Sequence, residues 1–502
     1  MIAPRTESDP IRFAPHGATV RVDLAYGIGF EIENDLRSIL SFGLLEREAW
    51  FEDELGFLAR TVRPGSRIVD VGANAGIYSA VLARAAGPDG RVLAVEPHPG
   101  AARLLAANAA RSAGAPIRID MRAVSDSQGE CTLQFGSASE VARVGETGIR
   151  VETAPLDKML RDAGIAAPDV IKLDVEGSET AAIRGATATL AAADPVMLVE
   201  IDHGGNVDPL VLDELSARGF AAFRLVPGLD AMVPYNDGFG AGTLNALAVR
   251  PESAERLLGS GRLATAAQTL PAGGDTAPDI GFFERMAPAR DVAAIGRRWR
   301  RTPRDPAARG YLAGLIDALA SRRARLPASL RYAYLLRATA RLEAAAADRP
   351  SAARRASLLA CQLALGAVAG ARRTVEGLLI DDAQGLDFAP DEPVLAPVAR
   401  FERRFAGGDG ANWLRAMINA AFLERAFFSV QFNPVAATAA ARSLESLGYA
   451  DATSERCRQL CGVLLGERNS VSDSIQFHRP DAGMLNAKLW RDTDAAWRAA
   501  GG

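Results

Sequence analysis

The stretch Ile68-Val69-Asp70-Val71-Gly72-Ala73-Asn74-Ala75-Gly76 constrains the fold of this 502-residue chain more than any other. Pro64-Gly65 turns the chain into a short apolar run that ends on an acid, and a helical pattern begins at Ile77. A buried strand, a glycine turn and a helix in immediate succession belong to α/β sheets covered by helices on both faces. Glycine at position 72 permits a tight turn and a close approach of backbone to ligand. The helix N-terminus that follows offers unpaired N–H groups and a partial positive charge, suited to an anionic group.

The sequence on either side repeats the pattern. Residues 92–95, 117–124, 170–173, 196–201, 221–226 and 244–249 are short, apolar and bounded by turn residues. Helical patterns at 77–86, 101–113, 179–192 and 209–218 lie between most of them, which predicts βαβ units and a mostly parallel sheet. Residues 129–153 break the alternation and read as an inserted hairpin. Upstream, 18–33 alternate apolar and polar around Gly27 and Gly29, a second hairpin, and 46–61 read as one helix. After Arg250 the Pro- and Gly-rich run 270–278 reads as a linker, and beyond about Phe283 only helical periodicity remains. Helix pairs joined at glycine recur there, as TPR-like repeats or as a compact bundle. The predicted organisation is an N-terminal hairpin and lead-in (1–45), an α/β domain (46–250), a linker (251–282) and a helical domain (283–502).

The glycine loop discriminates among ligands. A phosphate loop needs Gly-Lys-Ser/Thr at its end, and here Gly76 is followed by Ile77-Tyr78. A dinucleotide fold wants glycine where Asn74 stands, so that backbone can touch a pyrophosphate. An acidic strand end suits a ligand carrying an ammonium and a sulfonium, as S-adenosylmethionine does. The next strand ends in Glu96-Pro97, where one carboxylate can accept hydrogen bonds from both hydroxyls of a ribose.

Taken together these motifs resemble the FkbM family of S-adenosylmethionine-dependent methyltransferases. The resemblance rests on 69–76, Val95-Glu96-Pro97, Ala123-Val124-Ser125-Asp126 with Gly129, and Ile171-Lys172-Leu173-Asp174-Val175-Glu176-Gly177-Ser178-Glu179. Leu156-Asp157-Lys158-Met159-Leu160 and Val199-Glu200-Ile201 also fit, and the match covers residues 40–250. It implies a class I, Rossmann-like, seven-stranded methyltransferase domain, with transfer usually to a hydroxyl oxygen of a sugar, polysaccharide or polyketide-like product. By this similarity Asp70, Gly72, Asn74 and Gly76 would hold the methionine part of the cofactor and Glu96 the ribose. Ser125 and Asp126 would lie near the adenine.

A sulfonium is a good leaving group, so the protein's task is to align the acceptor and take its proton. Candidates must stand at the carboxyl ends of the central strands. Asp174 and Glu176 follow one of these strands, and Glu200 ends the next, with His203 just beyond. Glu179 reads equally well as a first-turn acid of a helix, and Tyr78 as packing. A divalent cation held by Asp174, Glu176 and Glu200 ranks below metal-free alignment.

The rest of the composition narrows the class by exclusion. A net charge of -4 and the absence of an Asn/Asp-Pro-Pro-aromatic signature argue against a nucleic-acid substrate. The acceptor is expected to be a small molecule or a glycan, with a protein partner for the helical half as a further expectation. Four cysteines are too few for a disulfide scaffold. The N-terminus lacks a signal-peptide core and no apolar run spans a bilayer, so the expected location is the cytoplasm. The chain has only three lysines, so its seven arginines between 290 and 309 read as a solvated face in an arginine-biased protein. The alternative reading is an interaction protein, docking through its helical half and retaining a degenerate cofactor domain.

Overall fold

The computed structural model describes residues 11–13, 17–135, 142–144, 148–202, 207–236, 243–265, 306–388, 392–402, 410–424, 430–466 and 485–499. A hairpin, β1 (Thr19–Leu24) and β2 (Ile28–Glu33), leads into helices α1 (Ile39–Arg47) and α2 (Asp53–Thr61). Then come β3 (Arg67–Val71), α3 (Ile77–Ala86), β4 (Arg91–Val95), α4 (Pro99–Arg111) and β5 (Ile117–Asp120). A four-stranded sheet follows, formed by β6 (Ala123–Ser125), β7 (Gly129–Phe135), β8 (Ala142–Val144) and β9 (Ile149–Pro155). The main sheet resumes after α5 (Leu156–Ala163) with β10 (Val170–Leu173), α6 (Glu179–Arg184), α7 (Thr187–Ala192) and β11 (Val196–Glu200). It closes with α8 (Pro209–Ala217), β12 (Ala221–Val226), β13 (Ala231–Pro234), β14 (Asn245–Val249) and α9 (Pro251–Gly259).

The main sheet has eight strands in the order β13-β12-β14-β11-β10-β3-β4-β5. Strands β5, β4, β3, β10 and β11 run parallel, and β14, β12 and β13 alternate in direction. Chain order reverses between β3 and β10, and the crevice above such a switch is where open α/β sheets bind ligands. Alternate side chains of one strand face opposite sides. Ile68 and Val170 accordingly enter one apolar cluster, and Val69, Val71, Ile171 and Leu173 the other. In this register Asp70 and Lys172 are direct partners across β3 and β10, on the side that α3 covers.

Five expectations are corrected. The sheet has an eighth strand, β13, paired with β12 at one edge. The helix expected over 46–61 is two helices, because Glu48 adopts a left-handed backbone (φ 55°) and Trp50 is held on both sides by the Tyr26 hydroxyl. The strand expected over 117–124 splits between two sheets, and the helix over 179–192 breaks at Gly185, where a Cβ would lie 2.1 Å from the Ser125 carbonyl oxygen. Residues 251–265 join the α/β fold rather than a linker: Ser253 bonds Asp194 through both its N–H and its hydroxyl, and Leu263 runs beside Met232. The rest of the expected linker lies outside the described residues.

From Pro306 onward every described regular element is helical. These are α10 (Pro306–Ser321), α11 (Ala328–Asp348), α12 (Ala352–Leu365), α13 (Val368–Ala383), α14 (Gly410–Glu424), α15 (Pro434–Ser446), α16 (Ala452–Leu464) and α17 (Ala487–Ala499), with short 3-10 turns. From α10 to α16 each helix packs on the next in sequence, the arrangement that recurring helix pairs predict. The helical half is not separate from the lead-in. Arg456 donates to the Glu46 carbonyl (2.8 Å) and pairs with Glu48 (3.2 Å), and the Asn486 side chain bonds the Asp23 carbonyl (2.9 Å) and Glu48 (3.0 Å). The Phe13 and Trp490 rings meet edge-on at 4.5 Å within one cluster that extends from the lead-in to α17.

Gly72 is indispensable to this packing. Its φ is +76°, and a Cβ there would stand 1.7 Å from the Asp174 carbonyl oxygen. Gly72→Ala is expected to lower unfolding stability by about 3 kcal/mol or more, from positive φ and overpacking together. A urea melt checks this, and wild-type stability in the variant would contradict it.

Candidate functional site

A cavity of about 430 Å³ opens above the switch point, within the range of roughly 300–1,000 Å³ usual for small-ligand sites. It is lined by Gly72, Asn74, Glu96, Val124 and Ser125, and also by Trp50, Phe51, Glu52, Asp174, Glu176 and Glu200. Asn74 takes a left-handed backbone (φ 49°), which asparagine tolerates better than most residues. That geometry aims its N–H at Glu96 Oε2 (2.8 Å), and the His98 N–H reaches Oε1 (2.8 Å). Each Glu96 oxygen therefore keeps a lone pair for a hydroxyl in the cavity. Burial raises the pKa of Glu96, and the two N–H bonds work against that rise.

Three residues expected to touch the cofactor do not line the cavity. Asp70 is fully buried beneath the loop, where it accepts from Ser79 Oγ (2.6 Å) and lies 3.5 Å from Lys172 Nζ. Gly76 is the N-cap of α3, and Asp126 is exposed beside Ser127. Gly72 does line it, yet what demands a glycine there is the Asp174 backbone rather than a ligand.

Lys172 ties the glycine loop to Asp174. Its ammonium donates to the Gly72 carbonyl (2.9 Å), pairs with Asp174 (3.0 Å) and lies 5.1 Å from the centre of the Tyr78 ring. Burial disfavours the charged form, but the carboxylates of Asp174, Asp70 and Glu52 outweigh it and the pKa is raised. Tyr78 is more than packing. Its hydroxyl donates to Glu52 Oε2 (2.5 Å), which also accepts from the Trp50 indole (3.0 Å). Burial first, then the Asp174 charge, raises the pKa of Glu52. Glu52, Trp50 and Lys172 escaped the sequence reading as site residues. Only Lys172 left a signal, as a lysine within a strand of an arginine-rich chain.

The acceptor-side acids divide by role. Asp174, Glu176 and Glu200 bring carboxylate oxygens within 4.8 Å of one another. Burial first, then the charges of Asp174 and Glu176, pushes Glu200 up to about 10, which favours its protonated form beside Asp174. Oxygen donors of this kind suit hard cations. Here Lys172 and the Glu200 proton already offset the negative charge. Glu179 is structural: fully buried, its carboxylate accepts N–H bonds from Val175 (2.9 Å) and Gly177 (3.0 Å). Those bonds hold the loop in which Glu176 (φ 52°) and Gly177 (φ 95°) are both left-handed. His203 lies outside the described residues, as do residues 290–305 of the arginine-rich stretch. Cys457 and Cys461 are buried free thiols, and no helix among the described residues is long and apolar enough to cross a membrane.

Residues 70–221 match the family model of the Methyltransferase FkbM domain, which bears out the resemblance and its S-adenosylmethionine cofactor. A hexuronic acid methyltransferase, AglP, of Haloferax volcanii is 29% identical over 32% of this chain and 64% of its own length. The 31-O-demethyl-FK506 methyltransferase FkbM of Streptomyces tacrolimicus is 32% identical over 25% of this chain and 60% of its own. The chain thus spans less than two thirds of the length of either relative. A crystal structure of a methyltransferase FkbM from Methylobacillus flagellatus KT is similar at 21% identity, covering 37% of this chain and 44% of that chain, with a TM-score of 0.26.

Glu200 makes stability depend on pH. Its pKa rises from 4.5 to about 10 on folding, so its contribution is complete below the lower value and is lost as pH climbs toward the upper. Glu200→Gln keeps the hydrogen-bond donor without the titration. Its thermal midpoint relative to wild type should therefore improve steadily between acid and alkaline buffer, and a pH-independent difference would count against a protonated Glu200.

Proposed function

We propose that this chain transfers a methyl group from S-adenosylmethionine to a hydroxyl oxygen of a sugar, a polysaccharide or a related secondary product. The observation that carries the reading is one cavity lined both by Glu96, with its open lone pairs, and by the Lys172-paired Asp174. The donor set fits the cofactor: Glu96 suits the two ribose hydroxyls, Ser125 and Val124 flank the adenine side, and Gly72 and Asn74 border the methionine side. When bound, S-adenosylmethionine supplies a methyl group on a sulfonium centre.

The protein's residues do the aligning. Asp174, fixed by Lys172, orients the acceptor hydroxyl and receives its proton, while protonated Glu200 donates a hydrogen bond within the same cluster. Glu176, Glu52 and the Trp50–Phe51 pair shape the remaining wall. Alignment of reacting atoms is worth several orders of magnitude in rate, so transfer needs no metal here. A sugar-type hydroxyl agrees with the polar acceptor end and with the acceptors that the relatives' names state, a hexuronic acid and the 31-oxygen of an FK506 precursor. The cytoplasm is the proposed location.

Two substitutions separate binding from chemistry. Asp174→Ala should cut transfer of a labelled methyl group to a panel of hydroxyl acceptors by about 100-fold or more, while affinity for S-adenosylhomocysteine stays near wild type. Glu96→Ala should do the reverse, weakening that affinity about 10- to 100-fold through two lost charge-assisted bonds. Full transfer by Asp174→Ala would reject its role. Loss of transfer on treatment with EDTA would reject the metal-free reading.

A further inference from the structure

We propose that a second cavity, where the helical half meets the lead-in, is a subsite for a further unit of an extended, uncharged carbohydrate acceptor. The proposal rests on the reading of the first cavity as a methyltransferase site for hydroxyl acceptors. The second cavity measures about 330 Å³. Tyr26, Trp50 and Phe51 line it from the lead-in, and Leu423, Glu424 and Thr453 from helices α14 and α16. Trp50, Phe51 and Glu52 line both cavities, so the subsite and the active site share a three-residue wall.

That wall is preformed. The Trp50 indole donates to Glu52, its backbone N–H donates to the Tyr26 hydroxyl (3.1 Å), and its ring packs on Phe51 at 4.3 Å. A fixed aromatic surface loses little entropy on binding and offers an apolar face to the C–H side of a pyranose ring. Its lining mixes acidic and basic side chains, several of them paired. Arg456 pairs with Glu48, Arg60 with Asp230 and Glu424 with Arg400. A lining of mixed sign favours hydroxyl groups over a ligand of one charge, while its polar atoms penalise a lipid chain. The helical side is equally fixed, since Arg456 is bonded to the Glu46 carbonyl at the end of α1. The helical half thereby gains a role that the family resemblance does not reach: it selects acceptors by length.

The test uses the full chain saturated with S-adenosylhomocysteine, applied to an array of neutral and uronic-acid glycans from mono- to hexasaccharide. Retention is expected on neutral oligosaccharides and not on their single sugars. Thr453→Trp fills the subsite from the helical side, away from the cofactor. It should weaken binding of the retained oligosaccharide by at least about tenfold, leaving the affinity for S-adenosylhomocysteine and the thermal midpoint unchanged. If tryptophan lowers that midpoint, Thr453→Gln makes the same test with less bulk. Equal binding by wild type and a folded variant, a preference for uronic acids, or no retention on the array while S-adenosylhomocysteine binds would each overturn the subsite. Failure to bind S-adenosylhomocysteine at all would instead overturn the methyltransferase reading beneath it.

Discussion

The buried ammonium of Lys172 is the interaction on which the site depends. It stands opposite Asp70 in the register of β3 and β10, so pairing of the two central strands brings a cation and an anion together inside the fold. The same ammonium holds the carbonyl of Gly72 and the carboxylate of Asp174. Strand pairing, the shape of the glycine loop and the position of the acceptor-side acid thus share one charge. Removing one partner of such a buried pair typically costs about 3–5 kcal/mol, because the other charge is left uncompensated. A lysine suits the place. Its compact charge meets three differently placed oxygens, whereas a planar guanidinium favours two in one plane.

This arrangement changes the meaning of the loop. Asp70, Gly72 and Gly76 look like ligand contacts in the sequence, yet they chiefly build the floor and the turn. Gly72, Asn74, Glu96 and Ser125 face the cavity, together with a lead-in that brings Trp50, Phe51 and Glu52. The Glu179 carboxylate does for the 174–178 loop what Lys172 does for the glycine loop: it fixes backbone so that neighbouring side chains can act.

Much of this was legible in the sequence, and the exceptions have physical causes. Strands β3, β4, β10 and β11 are continuous apolar runs because both their faces are buried, and such runs are easily read. Periodicity follows side chains rather than backbone handedness, so it could not see that left-handed Glu48 ends α1 and frees 49–52 to form a cavity wall. Tyr78 reads as packing in the sequence, and its ring is indeed buried. Only the fold brings Glu52, from before the sheet, to its hydroxyl. The glycine at the break, Gly185, lies against Ser125, a residue sixty positions away in the four-stranded sheet, which no local pattern records. The helical half was legible as helix pairs and opaque as to its partner, because the bonds of Arg456 and Asn486 reach back more than four hundred residues.

The central claim is that the cavity between Glu96 and Asp174 is built for S-adenosylmethionine. Isothermal titration of the intact chain with S-adenosylmethionine tests it most directly. The account predicts one saturable site per chain with a dissociation constant near or below about 100 μM, equivalent to roughly 5 kcal/mol or more of binding free energy. No measurable heat from folded protein, across temperatures chosen to separate enthalpy from its accidental zero, would contradict it.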